Sequence, residues 1–293
     1  MKPSKALKTV FVLTLSFTLG ALGIAGCAPK QTGEQAATKQ TGGQSAPPAE
    51  KRDGSAEEEL PQFSPLKEGE TIVTMKTGLG DIKLRFFPEY APKSVENFVK
   101  HAKDGYYDGL TFHRVVNEFV IQSGDPTGTG RGGESIYGDD FEVESTDKLH
   151  HFSGALGMAR SDALNSVGSQ FYIVCSHKLE QQVADALKDP SSLVLFQDQD
   201  GNNVTYKDYF FSEASQKYDP LFSDAVIAKY KEVGGRSDLD YNYTVFGQVI
   251  EGMDVVDKIS AAETDENDKP LTDIIIQKME TSEYKPNETG ANK

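Results

Sequence analysis

Short apolar runs separated by turn residues constrain the fold of this chain of 293 residues more than any other feature. Residues 71–76 and 82–86 alternate apolar and polar side chains around Gly78-Leu79-Gly80, a pattern that predicts a β-hairpin. Apolar residues at helical spacing occur in residues 92–104 and 253–259. Further short runs typical of strands occupy residues 110–116, 119–122, 154–159, 171–175, 244–250 and 273–278. Many short strands with two helices predict an antiparallel β-barrel or sandwich.

One segment, residues 178–237, interrupts this pattern. Asp219-Pro220 supplies an N-cap and a proline for the first helical turn, and Gly234-Gly235 supplies a stop. The apolar stripe between them predicts a helix over residues 220–233. Upstream of that helix, two apolar runs flank a polar turn and predict a hairpin, residues 193–196 and 204–211. The segment is therefore predicted to be a folded, partly helical insertion.

The N-terminus has the layout of a signal peptide. Lys2, Lys5 and Lys8 precede an uncharged apolar run, residues 10–25, which is short for a membrane span of roughly 20 residues. The run ends in Ile24-Ala25-Gly26-Cys27, which resembles the bacterial lipobox. We therefore expect cleavage before Cys27 and a diacylglyceryl anchor on it, which would hold the protein at the extracytoplasmic face of the cell membrane. A plain secretory signal or an uncleaved spanning helix are the alternatives.

Composition divides the rest of the chain. Residues 27–69 are rich in Gln, Thr, Gly, Ala, Pro and Glu and predict a disordered tether, followed by a domain over residues 70–280 and a tail over 281–293. Loss of a signal peptide over residues 1–26 would change the formal net charge from −15 to −18, which argues against nucleic-acid binding. With Cys27 lipidated, no intramolecular disulfide can form, and Cys175 in its apolar run is predicted to be buried.

Three runs combine one fixed cation with apolar side chains and amides: Phe112-His113-Arg114-Val115-Val116, Phe119 to Asp125, and Gly168 to Tyr172. Together they resemble the active-site signature of cyclophilins, which are peptidyl-prolyl isomerases. The resemblance covers about residues 71–279 apart from the insertion. It implies a mainly β fold, a closed eight-stranded antiparallel barrel with two capping helices. It also implies a monomer that isomerises X-Pro bonds of proline-containing polypeptides without a cofactor or metal.

The same resemblance implies the roles of individual residues. Arg114 corresponds to the catalytic arginine, Phe119 lies beside it, and Gln122 would orient the substrate carbonyl and Arg114 itself. The implied proline pocket consists of Phe119, Val120, Tyr172 and Leu239, with His113 beside the arginine and Tyr243 at the pocket edge. Ala159 and Arg160 match positions that bind the peptide by backbone contacts, and Gln170 lies next to that groove.

This chain departs from the family pattern at three positions. Tyr172 stands where phenylalanine is usual, Tyr243 where eukaryotic members have histidine, and Asp238 where many members carry tryptophan. Both tyrosines keep an aromatic ring, so we expect their hydroxyls to be tolerated at the pocket edge. Asp238 is expected to remove an apolar wall of the pocket.

Other chemistries fit the residues less well. The glycine-rich run 128–133 lacks the Gly-Lys-Ser/Thr ending of a phosphate loop, and Ser169 fits no nucleophile-elbow pattern. His150-His151 is adjacent rather than at ligand spacing and is predicted to be a solvated strand edge. The turn at 198–203 lacks the glycine and glutamate of an EF-hand.

The main rival from another class is a catalytically idle module that binds proline-containing segments or acts as a chaperone. As an enzyme, the protein is expected to act on exported or surface proteins.

Overall fold

The computed structural model describes residues 50–51, 58–211, 217–219 and 221–286. The predicted signal peptide, Cys27 and the end of the predicted tail lie outside these residues. Within the described part of the chain, no helix combines the length and apolar character needed to cross a membrane.

The strands bear out a mainly β architecture. Their bounds are β1 (Glu50–Lys51), β2 (Thr71–Thr77), β3 (Gly80–Phe86), β4 (Arg114–Val116), β5 (Val120–Ser123), β6 (Ala155–Met158), β7 (Phe171–Val174), β8 (Val194–Gln197), β9 (Asn203–Thr205), β10 (Tyr218–Asp219), β11 (Val245–Glu251) and β12 (Ile276–Glu283). Eight of them form one antiparallel sheet in the order β12-β2-β3-β11-β6-β7-β5-β4, while β8 pairs with β9 and β1 pairs in parallel with β10.

The prediction of a closed barrel is wrong: the sheet is open, with β12 and β4 at its edges. Between the two edges, the described residues contain an isolated bridge from Thr111 to Ile275 and a few backbone hydrogen bonds instead of a ladder. Neighbouring backbone groups have other partners: the Thr111 carbonyl accepts from the Ser123 hydroxyl, and the Val115 amide donates to the Asp268 carbonyl. Since each backbone group needs a partner, these contacts replace the ladder that would close the barrel.

The α-helices with both ends among the described residues are α1 (Pro92–Lys103), α2 (Gln181–Ala186), α3 (Tyr206–Phe210), α4 (Asp224–Val233) and α5 (Met253–Ser260), and short 3-10 helices occupy Pro61–Phe63 and Ser237–Leu239. The two predicted outside the insertion, α1 and α5, are confirmed. Phe98 of α1 and Val256 of α5 are fully buried in the main core of the sheet. The Phe98 ring lies 5.1 Å from that of Phe171 and 5.3 Å from that of Phe246, so this helix is fixed by aromatic packing.

The insertion is folded around a second core. Its buried members are Phe152 of the sheet domain and residues of the insertion, Leu187, Tyr206, Phe211, Tyr218, Leu221, Phe222, Val226, Ile227 and Tyr230. The predicted hairpin is present, but α3 replaces its second half because Thr205 and Asp208 form a capping box. The predicted helix also begins later, at Asp224, because the Ser223 hydroxyl accepts from the Val226 amide as the N-cap.

The folded domain begins before residue 70, so the predicted tether boundary is too late. Gln62 is buried, donates to the His150 carbonyl at 2.9 Å and accepts from the His150 amide at 2.8 Å. The Arg85 guanidinium donates to the Ser64 carbonyl at 2.5 Å. The domain also extends past residue 280, since β12 ends at Glu283.

Candidate active site

Arg114 is the first residue of β4 and lies opposite Gln122 of β5 in the antiparallel register. Its Nε atom is 3.4 Å from Oδ2 of Asp268, and its guanidinium carbon is 5.6 Å from the centre of the Phe119 ring. The arginine side chain is 37% exposed. It is thus oriented by an acid and a ring while its head group reaches solvent.

A second guanidinium covers Phe119. The Arg236 head group is 4.0 Å from the ring centre, and Asp238 accepts two hydrogen bonds from it, at 2.8 Å and 2.7 Å. Because a bidentate carboxylate fixes the arginine plane, this pair forms a rigid covering over the ring. Asp238 was expected to remove an apolar wall of the pocket, and in the structure it fixes Arg236 over the ring of the predicted pocket residue Phe119.

The predicted pocket residues lie in one apolar cluster. Val120 and Tyr172 are buried in it, and Phe119, Ala159, Leu239 and Tyr243 are partly exposed residues that pack against it. The partly exposed members therefore form an apolar surface patch over a buried apolar base.

The amides and the histidine lie on the other side of Arg114. Gln122 donates to Gln170 at 2.9 Å, and Gln170 in turn donates to the Gly132 carbonyl at 2.7 Å. The Gln122 amide is therefore held by Gln170, opposite Arg114 on the neighbouring strand. His113 is buried, and this burial lowers its pKa although the nearby Asp125 carboxylate acts in the opposite direction.

Asp125 organises the glycine-rich run 128–133. Its carboxylate accepts hydrogen bonds from the backbone amides of Thr127, Thr129, Arg131 and Gly132 at 2.7 to 3.1 Å. Burial would raise the pKa of Asp125, but the bonds from Thr127 and the loop amides lower it to about 2. The run is thus a loop wrapped around a buried carboxylate.

A buried network lies beneath the pocket. His151 hydrogen-bonds to the Tyr172 hydroxyl through Nε2 at 2.8 Å and to Asp240 through Nδ1 at 2.7 Å. His150 Nδ1 and the Tyr230 hydroxyl also reach the Asp240 carboxylate, at 2.9 Å and 2.7 Å. Burial would raise the pKa of Asp240, but the two histidines hold it at about 2.

Two predictions are wrong here. His150 and His151 are 1% and 0% exposed, so they are not a solvated strand edge. The Tyr172 hydroxyl does not lie at the pocket edge, because it points into the protein toward His151. Tyr172, which stands where phenylalanine is usual, therefore has a specific hydrogen-bond partner in His151.

Two other predictions agree with the packing. Cys175 is buried, and this burial raises the pKa of its thiol. Ser169 is fully buried and its hydroxyl donates to the Gly124 carbonyl at 2.6 Å, so it is a structural residue rather than a nucleophile. Among the described residues, no group of three or more His, Cys, Asp or Glu side chains could hold a metal ion.

Comparison with known proteins identifies the family. Residues 72–281 match the family model described as cyclophilin type peptidyl-prolyl cis-trans isomerase. The chain belongs to this family. A protein of Staphylococcus aureus (strain USA300) named "Putative peptidyl-prolyl cis-trans isomerase" is 40% identical over 218 residues, which are 74% of this chain and 95% of that protein. One of the same name from Staphylococcus epidermidis is 39% identical over 218 residues, with the same coverage.

A solved structure supports the same assignment. The crystal structure of a cyclophilin type peptidyl-prolyl cis-trans isomerase from Cryptosporidium parvum matches with a TM-score of 0.51 and 27% sequence identity. The match covers 73% of this chain and 98% of that one. The chain is therefore a cyclophilin-type isomerase that carries additional sequence.

The cyclophilin site contains more than the sequence motifs indicate. All the predicted site residues except Cys27 lie in or beside the site described above. The Ala159 amide donates to the Gln170 carbonyl, and the Arg160 guanidinium carbon lies 4.4 Å from the centre of the Tyr243 ring. The motifs did not indicate Arg236, His151 or Asp240. Arg236 belongs to the insertion, which the resemblance does not cover, and adjacent histidines carry no spacing signal.

Replacing Tyr172 with phenylalanine tests the buried network. The Tyr172→Phe variant keeps the ring but leaves Nε2 of the buried His151 without a partner, so we expect the free energy of unfolding to fall by about 1 to 3 kcal/mol. Urea unfolding measures this change. The matched control is Tyr243→Phe at the half-buried pocket edge, for which a change of no more than about 0.5 kcal/mol is expected. Equal effects of the two variants would contradict the network.

The Asp125 carboxylate predicts a pH dependence of stability. Because its pKa is about 2 in the folded protein, its contribution is fully present above an unfolded pKa of about 3.9 and disappears as pH falls through about 2. We expect Asp125→Asn to be less stable than wild type by about 2 kcal/mol at pH 6, with the difference shrinking toward pH 2. Urea unfolding at several pH values measures it. A difference that stays constant with pH would count against this assignment.

Proposed function

We propose that the protein isomerises X-Pro bonds of exported or surface proteins by non-covalent catalysis, with Arg114 as the hydrogen-bond donor. The observation that supports this most directly is the position of the Arg114 guanidinium, beside Phe119, which packs against the apolar cluster. A proline ring bound on this cluster beside Phe119 would bring its amide nitrogen next to this cation.

The reaction requires no nucleophile. Rotation about an X-Pro bond breaks the conjugation of the amide, against a barrier of roughly 18 to 20 kcal/mol. In the twisted state the proline nitrogen regains a lone pair, so a donor placed beside it stabilises the transition state more than the planar ground state. Arginine suits this role because it is always protonated and its donors form a rigid fork.

The geometry of Arg114 is compatible with donation. Its contact with Asp268 is made through Nε, at 3.4 Å. Phe119 supports the plane of the guanidinium from the side. The acid and the ring would thus preorganise the donor without occupying the atoms that face the substrate.

Arg114 alone is insufficient for efficient catalysis. A charge-assisted hydrogen bond contributes about 1.5 to 3 kcal/mol, whereas a 10⁴-fold acceleration requires about 5.5 kcal/mol. The remainder would come from exclusion of water by the apolar pocket and from anchoring of the residues that flank the proline. Val120, Leu239 and the Phe119 ring under Arg236 are the groups that would exclude this water.

The proposed location follows from the N-terminal sequence. We infer that a lipid on Cys27 anchors the mature protein at the extracytoplasmic face of the membrane, where newly exported chains emerge unfolded. Proline isomerisation limits the folding of many such chains, since the uncatalysed step takes about 10 to 100 s. Isomerisation of a short proline peptide, measured on the full chain, separates this enzyme from an idle binding module.

Removal of the Arg114 guanidinium should slow turnover. We expect Arg114→Ala to lower kcat/KM for a proline peptide by about 2 to 3 kcal/mol, the contribution of a charged hydrogen bond. Arg236→Ala is the matched comparison, because it also uncovers Phe119 but keeps the donor; its effect should fall mainly on KM. Wild-type activity in a folded Arg114→Ala protein would refute the assignment.

Lipid attachment has its own test. Mass spectrometry of the membrane fraction should find an N-terminus at Cys27 that carries diacylglyceryl. Cys27→Ser should lose the lipid, while Cys175→Ser should keep it because that thiol is buried in the domain. An intact Met1, or a soluble product cleaved elsewhere, would show that the anchor is wrongly assigned.

A further inference from the structure

A second concave surface lies between the insertion and the sheet domain. It is a cavity of about 660 Å³, within the range of about 300 to 1,000 Å³ typical of ligand sites. The insertion supplies Tyr209, Phe210 and Tyr218, and Tyr241 follows the insertion in the chain. We refer to this cavity as the aromatic groove.

The rim of the aromatic groove exposes apolar side chains from two distant parts of the chain. Tyr209 is 51% exposed on the insertion side, and Leu164 is 53% exposed on the side of the sheet domain. Phe210 packs against Tyr209 at 4.8 Å between ring centres, which keeps the insertion wall aromatic along its length. A single exposed apolar residue is ordinary, whereas several that line one cavity are typical of a binding surface.

The chain segment from Tyr241 to Tyr243 links the aromatic groove to the proline pocket. Tyr243 packs against Tyr172 of the pocket with ring centres 6.2 Å apart, while Tyr241, two residues earlier, lines the groove. Asn242 between them accepts from Arg160 at 2.9 Å and donates to the Phe210 carbonyl at 2.7 Å. The chain therefore passes from the groove to the pocket within three consecutive residues, so the two sites lie close together.

The charges beside the groove do not favour a charged ligand. Lys217 lies over the Tyr218 ring at 4.8 Å, and Glu142 is paired with Lys93 at 3.0 Å. One cation and one acid thus line the same cavity, and each has a neighbour of its own. The aromatic side chains that line the groove are therefore the groups that would select its ligand.

We propose that the aromatic groove binds an apolar side chain, preferably an aromatic one, of the client polypeptide whose proline occupies the pocket. This inference rests on the proposed function, because both sites would hold the same extended chain. An extended residue spans about 3.3 to 3.6 Å, so a side chain a few residues from the proline reaches the groove. The insertion thereby selects clients by a residue outside the X-Pro bond.

The test is a phenylalanine scan in peptides that contain one central Ala-Pro pair. The phenylalanine is moved one position at a time, on both sides of the proline, through a sequence of serine and alanine. Calorimetry gives Kd for the full chain, and isomerisation of the same peptides gives kcat/KM. We expect one short window of positions, on one side of the proline, to lower Kd about 5- to 10-fold relative to the peptide without phenylalanine.

The preference should depend on the groove. Tyr209→Ala and Leu164→Ala are made as separate variants. In each of them, the Kd of the best phenylalanine peptide should come close to the Kd of the peptide without phenylalanine. Val194→Ala removes another exposed apolar side chain of the insertion outside the groove and should retain the preference. The proposal is overturned if no position gives a preference, or if the preference survives in both groove variants. Binding without isomerisation would instead refute the proposed function and leave the groove supported.

Discussion

The buried carboxylate of Asp240 is the interaction on which the rest of the structure depends. It accepts from the backbone amide of His151 and contacts both histidine rings and the Tyr230 hydroxyl. A carboxylate that is 1% exposed is tolerated only when hydrogen bonds replace its water, and these contacts do so. Asp240 therefore connects the sheet domain, the insertion and the residues that lead to the pocket.

The pocket is supported from two directions as a result. From below, Tyr172 is held by His151, so its ring cannot rotate away without breaking a buried hydrogen bond. From the side, Phe119 lies under Arg236, whose plane is fixed by Asp238. Groups fixed before the substrate arrives lose little conformational freedom on binding, which favours preorganised recognition of the proline ring. The insertion contributes to both supports.

Sequence patterns predicted the features that depend on local periodicity or on a family motif. The strands, α1 and α5 follow from apolar spacing, and Arg114, Phe119 and Gln122 from the motif. Contacts that depend on the path of the chain could not be predicted. His150 and His151 lie in an irregular segment rather than a strand, so both rings turn inward to Asp240. Gln62 was assigned to the tether because its hydrogen-bond partners, His150 and Gln248, are far away in sequence.

The position of Tyr230 has a consequence for the evolution of this protein. Its ring packs 4.5 Å from that of Phe152, and its hydroxyl completes the partners of Asp240. The insertion is thus not an interchangeable appendage, since exchanging it for an unrelated loop would strip a buried anion of one donor and uncover an aromatic ring of the sheet domain. We expect sequence changes in the two parts to be coupled, so that recombination between relatives preserves the fold only when both parts are inherited together.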